Sequence, residues 1–199
     1  MSSGLLSLAC PEMSLALAAQ AEIALSFGLP TWGLAGSTGA KVLDAQAGAE
    51  SAFSILAQGL GGLNLIHDVG YIDNGMICST AQLVLGNENI GMTKRFARGI
   101  TVNQETLARN VIEKVGPGGH FLQETHTLEH FKDELWVPGL MTRDPRETWQ
   151  QAGSKDLATV IKERLQEILE THEVPALADN TRSAIRKIRE KGEKLLVKN

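Results

Sequence analysis

Leu29-Pro30-Thr31-Trp32-Gly33-Leu34 and Leu63-Asn64-Leu65-Ile66 are two short uncharged runs, the first bounded by Gly28 and Gly36 and the second preceded by Gly61-Gly62. Apolar runs of this length, without polar alternation, read as strands buried on both faces. Between them Asp44 is placed to cap a helix that runs to about Leu60, with Phe53, Ile55, Leu56 and Leu60 as its bulky apolar positions and Gly61-Gly62 as its stop. The strand starts, Leu29 and Leu63, lie 34 residues apart with that helix between them, which suits a right-handed crossover joining parallel neighbours. Such a crossover is the unit of a β/α barrel or a doubly wound sheet.

Upstream, a helix is expected from about Pro11 to Phe27: Pro11 fits the first helical position, Glu12 complements the N-terminus and Gly28 supplies a left-handed stop. Its interior, Ser14-Leu15-Ala16-Leu17-Ala18-Ala19, is apolar nearly all round, so it needs neighbours on several sides. Downstream, the strand signal fades beyond about Ile77. Helical segments near Thr80 to Leu85 and Ile90 to Arg98 lead to a capped helix from Asn103 to Val115. Asp144-Pro145-Arg146-Glu147 predicts a further helix start with an acidic cap, ending at Gly153. From Ser154, positions Leu157, Val160, Ile161, Leu165, Ile168 and Leu169 form a helical stripe, Pro175 breaks it, and a last helix runs from Asn180 to about Leu196. Two strands make neither a sheet covered on both faces nor a barrel, which needs eight. Either a partner chain completes the sheet, or the sequence is a piece of a longer protein.

With 199 residues, 43% hydrophobic and 21% charged, the chain has the composition of a globular domain able to bury a core. A formal net charge of -4 gives no general attraction to nucleic acid. Cys10 and Cys78 are too few for a disulfide framework or a four-thiolate zinc site. No signal-peptide pattern and no apolar stretch of about 18 residues is present, so a cytoplasmic protein without membrane association is expected.

The polar motifs divide by position. Gly33-Leu34-Ala35-Gly36-Ser37-Thr38-Gly39-Ala40-Lys41 resembles a phosphate loop only superficially, because Ala40 separates Gly39 from Lys41 and Val42 follows; a flexible loop at the edge of the active site is the expectation. His67 and Asp68 stand where the second strand runs out, the end that carries chemistry in parallel α/β folds. The plainer alternative is a capped strand end. His126 and His130 are four apart, with His120, Glu124 and Glu129 nearby, but no HExxH pattern accompanies them, so ordinary surface histidines and no catalytic metal are expected. Arg182 to Lys198 holds seven Lys or Arg against two Glu, an excess of five, which reads as a solvated helix face.

Gly28-Leu29-Pro30-Thr31-Trp32-Gly33, Lys41-Val42-Leu43-Asp44-Ala45-Gln46-Ala47 with Glu50, and Asn64-Leu65-Ile66-His67-Asp68-Val69-Gly70-Tyr71 together resemble the trimethylamine methyltransferase family. Phe121-Leu122 through His126-Thr127-Leu128, Trp136-Val137-Pro138, and Ala152-Gly153-Ser154-Lys155-Asp156-Leu157 look like the C-terminal portion of the same family. The resemblance implies an α/β fold, a partial TIM (β/α) barrel made of the last strands plus C-terminal helices. Residues 1–100 would be the barrel part and 101–199 a helical extension packed on it. Its members are similar in being barrels more than twice as long, which implies a homo-oligomer or a missing N-terminal half here. The His67-to-Tyr71 stretch resembles the branch without pyrrolysine, acting on quaternary amines such as glycine betaine. That likeness implies methyl transfer to the cobalt of a corrinoid (cobalamin) carried by a cognate partner protein, with none held tightly by this chain. His67 and Asp68 become the candidate catalytic residues, and Trp32, Tyr71 and His67 the candidate contacts to a methylated amine or betaine. Two alternatives stand beside it: a non-catalytic fragment or subunit needing a second chain, and a metal-dependent hydrolase built on His67, His126 and His130.

Overall fold

The structure is a computed structural model and describes residues 7–196. It divides into two compact units, the first extending to Leu165 and the second beginning at Gln166. In the first unit, α1 (Pro11–Ser26) starts with proline in its first turn, and Gly28 beyond it takes φ +67°, the left-handed conformation in which glycine has no Cβ clash. Strand β1 (Trp32–Leu34) is followed by α2 (Ala45–Leu60), whose N-cap Asp44 accepts from Ala47 N at 3.0 Å, and then by β2 (Leu65–His67). The two strands pair in parallel, in the register Trp32 with Leu65, Gly33 with Ile66 and Leu34 with His67. Thr31 and Asn64 extend the pairing through side chains: Thr31 N donates to Asn64 Oδ1 at 2.9 Å and Asn64 N to Thr31 Oγ1 at 3.0 Å.

Several expectations need correction. The strands are shorter than the runs Leu29 to Leu34 and Leu63 to Ile66, and they are not buried on both faces: Trp32 is 69% and Leu65 52% exposed. Tyr71–Ile72 (β3) and Ile77–Cys78 (β4) form an antiparallel hairpin that carried no strand signal. The two segments expected after Ile77 are one helix, α3 (Thr80–Ala97), capped by Ser79. The helix expected from Asn103 to Val115 is broken into α4 (Gln104–Leu107) and α5 (Arg109–Val115) by Ala108, which is left-handed at φ 46°. Thr125–Glu134 (α6) follows. Arg146–Gln151 (α7) starts from Pro145 with no side-chain cap; Asp144 instead accepts from the Thr142 hydroxyl at 3.1 Å.

The last two helices are α8 (Leu157–Thr171) and α9 (Asp179–Leu196). Ile161 is buried to 1% exposure, as its place in the stripe requires, whereas Ile168 and Leu169 are exposed. None of the described helices is long and apolar enough to cross a membrane.

Where α2 meets α3 and α1, the interior is largely polar. Ser51, Ser54, Gln58, Gln82 and Asn89 are buried; Asn89 Nδ2 donates to Ser51 Oγ at 3.1 Å and Gln58 Nε2 to the Ser14 carbonyl at 3.1 Å. Ile55 of α2 and Leu85 of α3 are buried as well, but many other large apolar groups are not. Leu15, Ile23, Leu25 and Phe27 along α1 are all at least half exposed, joined by Leu29 and Leu65 at the sheet. This is the reverse of the usual sorting, in which side chains of this kind are the ones most often buried.

Candidate functional site

The C-terminal end of β2 is built from two special backbone positions. Asp68 adopts φ 71° and Gly70 φ 100°. Asp is one of the few residues that visit the left-handed region readily, and its carbonyl is held by the Ser37 hydroxyl at 2.9 Å. Gly70 is required in a second sense, since a Cβ there would meet Leu83 Cβ of α3 at 3.0 Å. The turn points His67 and Asp68 back at each other: His67 Nδ1 lies 2.7 Å from Asp68 Oδ1, with both side chains partly exposed. An ionised carboxylate only accepts, so Nδ1 carries the hydrogen and Nε2 is left for a ligand. Trp32 meets the His67 ring edge-on, with centroids 5.3 Å apart at 89°. Trp32 pairs with Leu65, and His67, two residues further along β2, lies on the same face of the sheet.

Of the sequence candidates, Trp32, His67 and Asp68 therefore stand in one cluster. Trp32 occupies the first position of β1 and not its C-terminal end. Tyr71 begins β3; its carbonyl accepts from Thr38 N at 3.0 Å.

The loop of residues 35–40, expected to be flexible, is instead packed inside. Ala35, Ser37, Thr38 and Ala40 are all buried. Gly36 N donates to Ser54 Oγ at 3.0 Å, and Glu50 accepts from Thr38 Oγ1 at 2.6 Å and Gly39 N at 2.7 Å. Glu50 is the residue that sequence reasoning quoted but gave no role. It ties the loop behind His67 to α2.

Partial burial pushes the Glu50 carboxyl up, but bonds from Thr38, Gln46 and Gly39 outweigh it and hold it below its ordinary 4.5. A folded-state value below the unfolded one means that Glu50 contributes stability above 4.5, lost as pH falls through the lowered value. Glu50→Gln is accordingly expected to lower the melting temperature at neutral pH, by an amount that shrinks as the buffer is taken below 4.5. Melting curves of both proteins across that range check it. A difference constant with pH would contradict it.

The pair His126 and His130 on α6 does not reach this cluster. His126 Nε2 bonds the Glu105 carbonyl at 2.9 Å and His130 Nε2 lies 3.4 Å from Glu105 Oε1. Among the described residues His67 is no member of that group, so the hydrolase alternative built on His67, His126 and His130 lacks its common centre.

Among the described residues the structure thus holds one parallel β-α-β unit with an imidazole–carboxylate pair at the end of its second strand and an exposed indole beside it. The family described as Trimethylamine methyltransferase (MTTB) matches residues 1–194. Similar proteins include the glycine betaine methyltransferase of Desulfitobacterium hafniense (strain Y51), 37% identical over 180 residues, which are 89% of this chain and 37% of that protein. Trimethylamine methyltransferase MttB of Methanosarcina barkeri is 40% identical over 166 residues, 82% of this chain and 33% of that protein. This chain belongs to the trimethylamine methyltransferase family. It spans about a third of the length of these relatives, 37% of the first and 33% of the second.

Proposed function

We propose that this chain is the part of a methyltransferase that holds a methylated or quaternary amine, of trimethylamine or betaine type, during methyl transfer to a corrinoid on a partner protein. The observation that carries the reading is the cluster of exposed Trp32 with the half-buried His67 and Asp68. A quaternary ammonium has no N–H to donate, so an aromatic face is the protein group best suited to it, and Trp32 offers one. With Nδ1 donating to Asp68, the imidazolium form of His67 donates from Nε2 to the carboxylate of a betaine. Asp68 orients that ring and balances the cation.

The corrinoid, when its carrier protein docks, supplies a reduced cobalt nucleophile. The exposure of Trp32 and His67 suits an acceptor that arrives from solvent on another protein, and no residue of this chain is assigned to hold it. Transfer from a quaternary amine breaks one C–N bond and leaves its electron pair on nitrogen, so a neutral tertiary amine departs without a proton being delivered. The residues here thus position and orient more than they exchange protons.

A quaternary ammonium is a poor electrophile in water, and a partly exposed cluster becomes dry only when further structure covers it. The second reading, a fragment or subunit that is inactive until another chain completes the barrel, is supported by the exposed apolar side of α1 and by the one-third share of the relatives' length. In this reading the chain supplies the last strands of a TIM barrel with C-terminal helices. Its setting is cytoplasmic, which suits the free thiols Cys10 and Cys78.

Binding tests the site directly. In the complete methyltransferase, glycine betaine is expected to bind roughly tenfold more tightly than its neutral carbon isostere, and Trp32→Ala is expected to abolish the difference. Calorimetric titration reads both. Equal affinities, or a preference that survives the substitution, would sink the assignment.

A further inference from the structure

We propose that Glu105, His126 and His130 form a binding site for a divalent transition metal of the zinc class, separate from the methyl-transfer site. One ligand atom from each of the three lies within 4.8 Å of the others. The backbone prepares this convergence. His126 and His130 stand one turn apart on α6, so their rings share a face, with centroids 4.3 Å apart. Glu105 reaches them from α4, whose start is fixed by a reciprocal capping box between Asn103 and Thr106.

Two distances are compatible with an ion at the centre of the group. His130 Nε2 to Glu105 Oε1 is 3.4 Å, long for an N–H···O bond to a carboxylate. It is close to the ~3.3 Å that separates two ligands bound to one tetrahedral zinc at about 2.0–2.1 Å. The widest separation in the group needs to close by at most about 1.5 Å to reach that value, a movement on the scale of side-chain rotamer adjustment.

The second distance concerns the shell behind the ligands. His126 Nε2 sits 2.9 Å from the Glu105 carbonyl, which only accepts, so in the neutral ring Nε2 carries the hydrogen and Nδ1 the lone pair. A backbone carbonyl behind a ligating imidazole is a recurrent way of fixing the tautomer that binds a metal. Two imidazoles and one carboxylate make a zinc donor set with a position left open for water or an exogenous ligand. Beside Glu105 and His126 lies a hollow of about 330 Å³, also lined by Arg109 and Asn110, which has room for that ligand. An ion here would clamp α4 to α6 next to the break at Ala108.

The test uses the tag-free chain, stripped with EDTA, dialysed and loaded with Zn²⁺ alone. One equivalent retained by elemental analysis is expected, together with a rise in melting temperature of about 5 °C. Glu105→Gln, His126→Ala and His130→Ala should each weaken Zn²⁺ binding at least tenfold. Co²⁺ should give visible d–d bands that vanish in His126→Ala. Glu105 is exposed, so its variant keeps the fold intact and the result interpretable. Absence of stoichiometric Zn²⁺, or retention that survives all three substitutions and is lost in Cys10→Ser or Cys78→Ser, would overturn the proposal.

Discussion

His67→Ala in the complete methyltransferase is expected to slow methyl transfer from a betaine by about 10²-fold, without loss of the folded state. The imidazole touches Trp32 and Asp68 and is partly open to solvent, so its removal leaves no sealed cavity to destabilise the sheet. What disappears is the donor that Asp68 holds in place. His67→Gln should recover part of the rate, because an amide retains an N–H at similar reach, and Asp68→Asn should fall between because the ring keeps its place but loses its charged partner. Rates are read from the corrinoid absorbance change, with circular dichroism as the control. An unchanged rate in His67→Ala would remove the imidazole from the mechanism.

Glu88→Ala should have the largest effect on stability, about 3 kcal/mol, or a fall in melting temperature of roughly 10 °C. Glu88 lies on α3 at 6% exposure, and its carboxylate accepts from three consecutive backbone N–H groups. Leu140 N and Met141 N donate to Oε1 at 2.8 and 3.2 Å, and Gly139 N to Oε2 at 3.3 Å. Alanine leaves those donors without their acceptor and frees the segment that follows Trp136. Glutamine keeps one acceptor oxygen and should lose about half as much. Thermal denaturation followed by circular dichroism checks the ordering Ala, then Gln, then wild type. A melting temperature unchanged in Glu88→Ala would show that water replaces the carboxylate without loss.

Local signals were legible where one residue decides the backbone. Pro11, Asp44 and Gly28 each do at their helix end what their chemistry predicts, and the parallel pairing of β1 with β2 follows from the crossover between them. The continuity of α3 was hidden because Gly86-Asn87-Glu88-Asn89 interrupts its apolar pattern, and Gly91 lies just beyond. Both glycines are there for packing, since a Cβ at Gly91 would meet the Trp136 ring at 3.2 Å and one at Gly86 would run into Val69. Ala108 in the left-handed region has no sequence signal, and the β3–β4 hairpin is too short to show a period.

At the candidate site, His67 and Asp68 were legible from their place at a strand end. Their bond to each other depends on the φ of Asp68, which Ser37 stabilises from 31 residues away. Glu105 could not be joined to His126 and His130 from spacing, because a contact between α4 and α6 is tertiary. The strands were read as buried on both faces, and the same residues explain the error. Trp32 and Leu65 have the composition of covered positions but stand exposed here, as they would if further strands belonged over them.

The most direct test of this account is a methyl-transfer assay with a quaternary amine and a cognate corrinoid protein, run on this chain alone and again with the N-terminal two-thirds of a family member supplied. The expected result is no turnover alone and measurable turnover once the added segment covers Trp32 and the exposed side of α1. Turnover by the isolated chain, as a monomer by light scattering, would contradict the account.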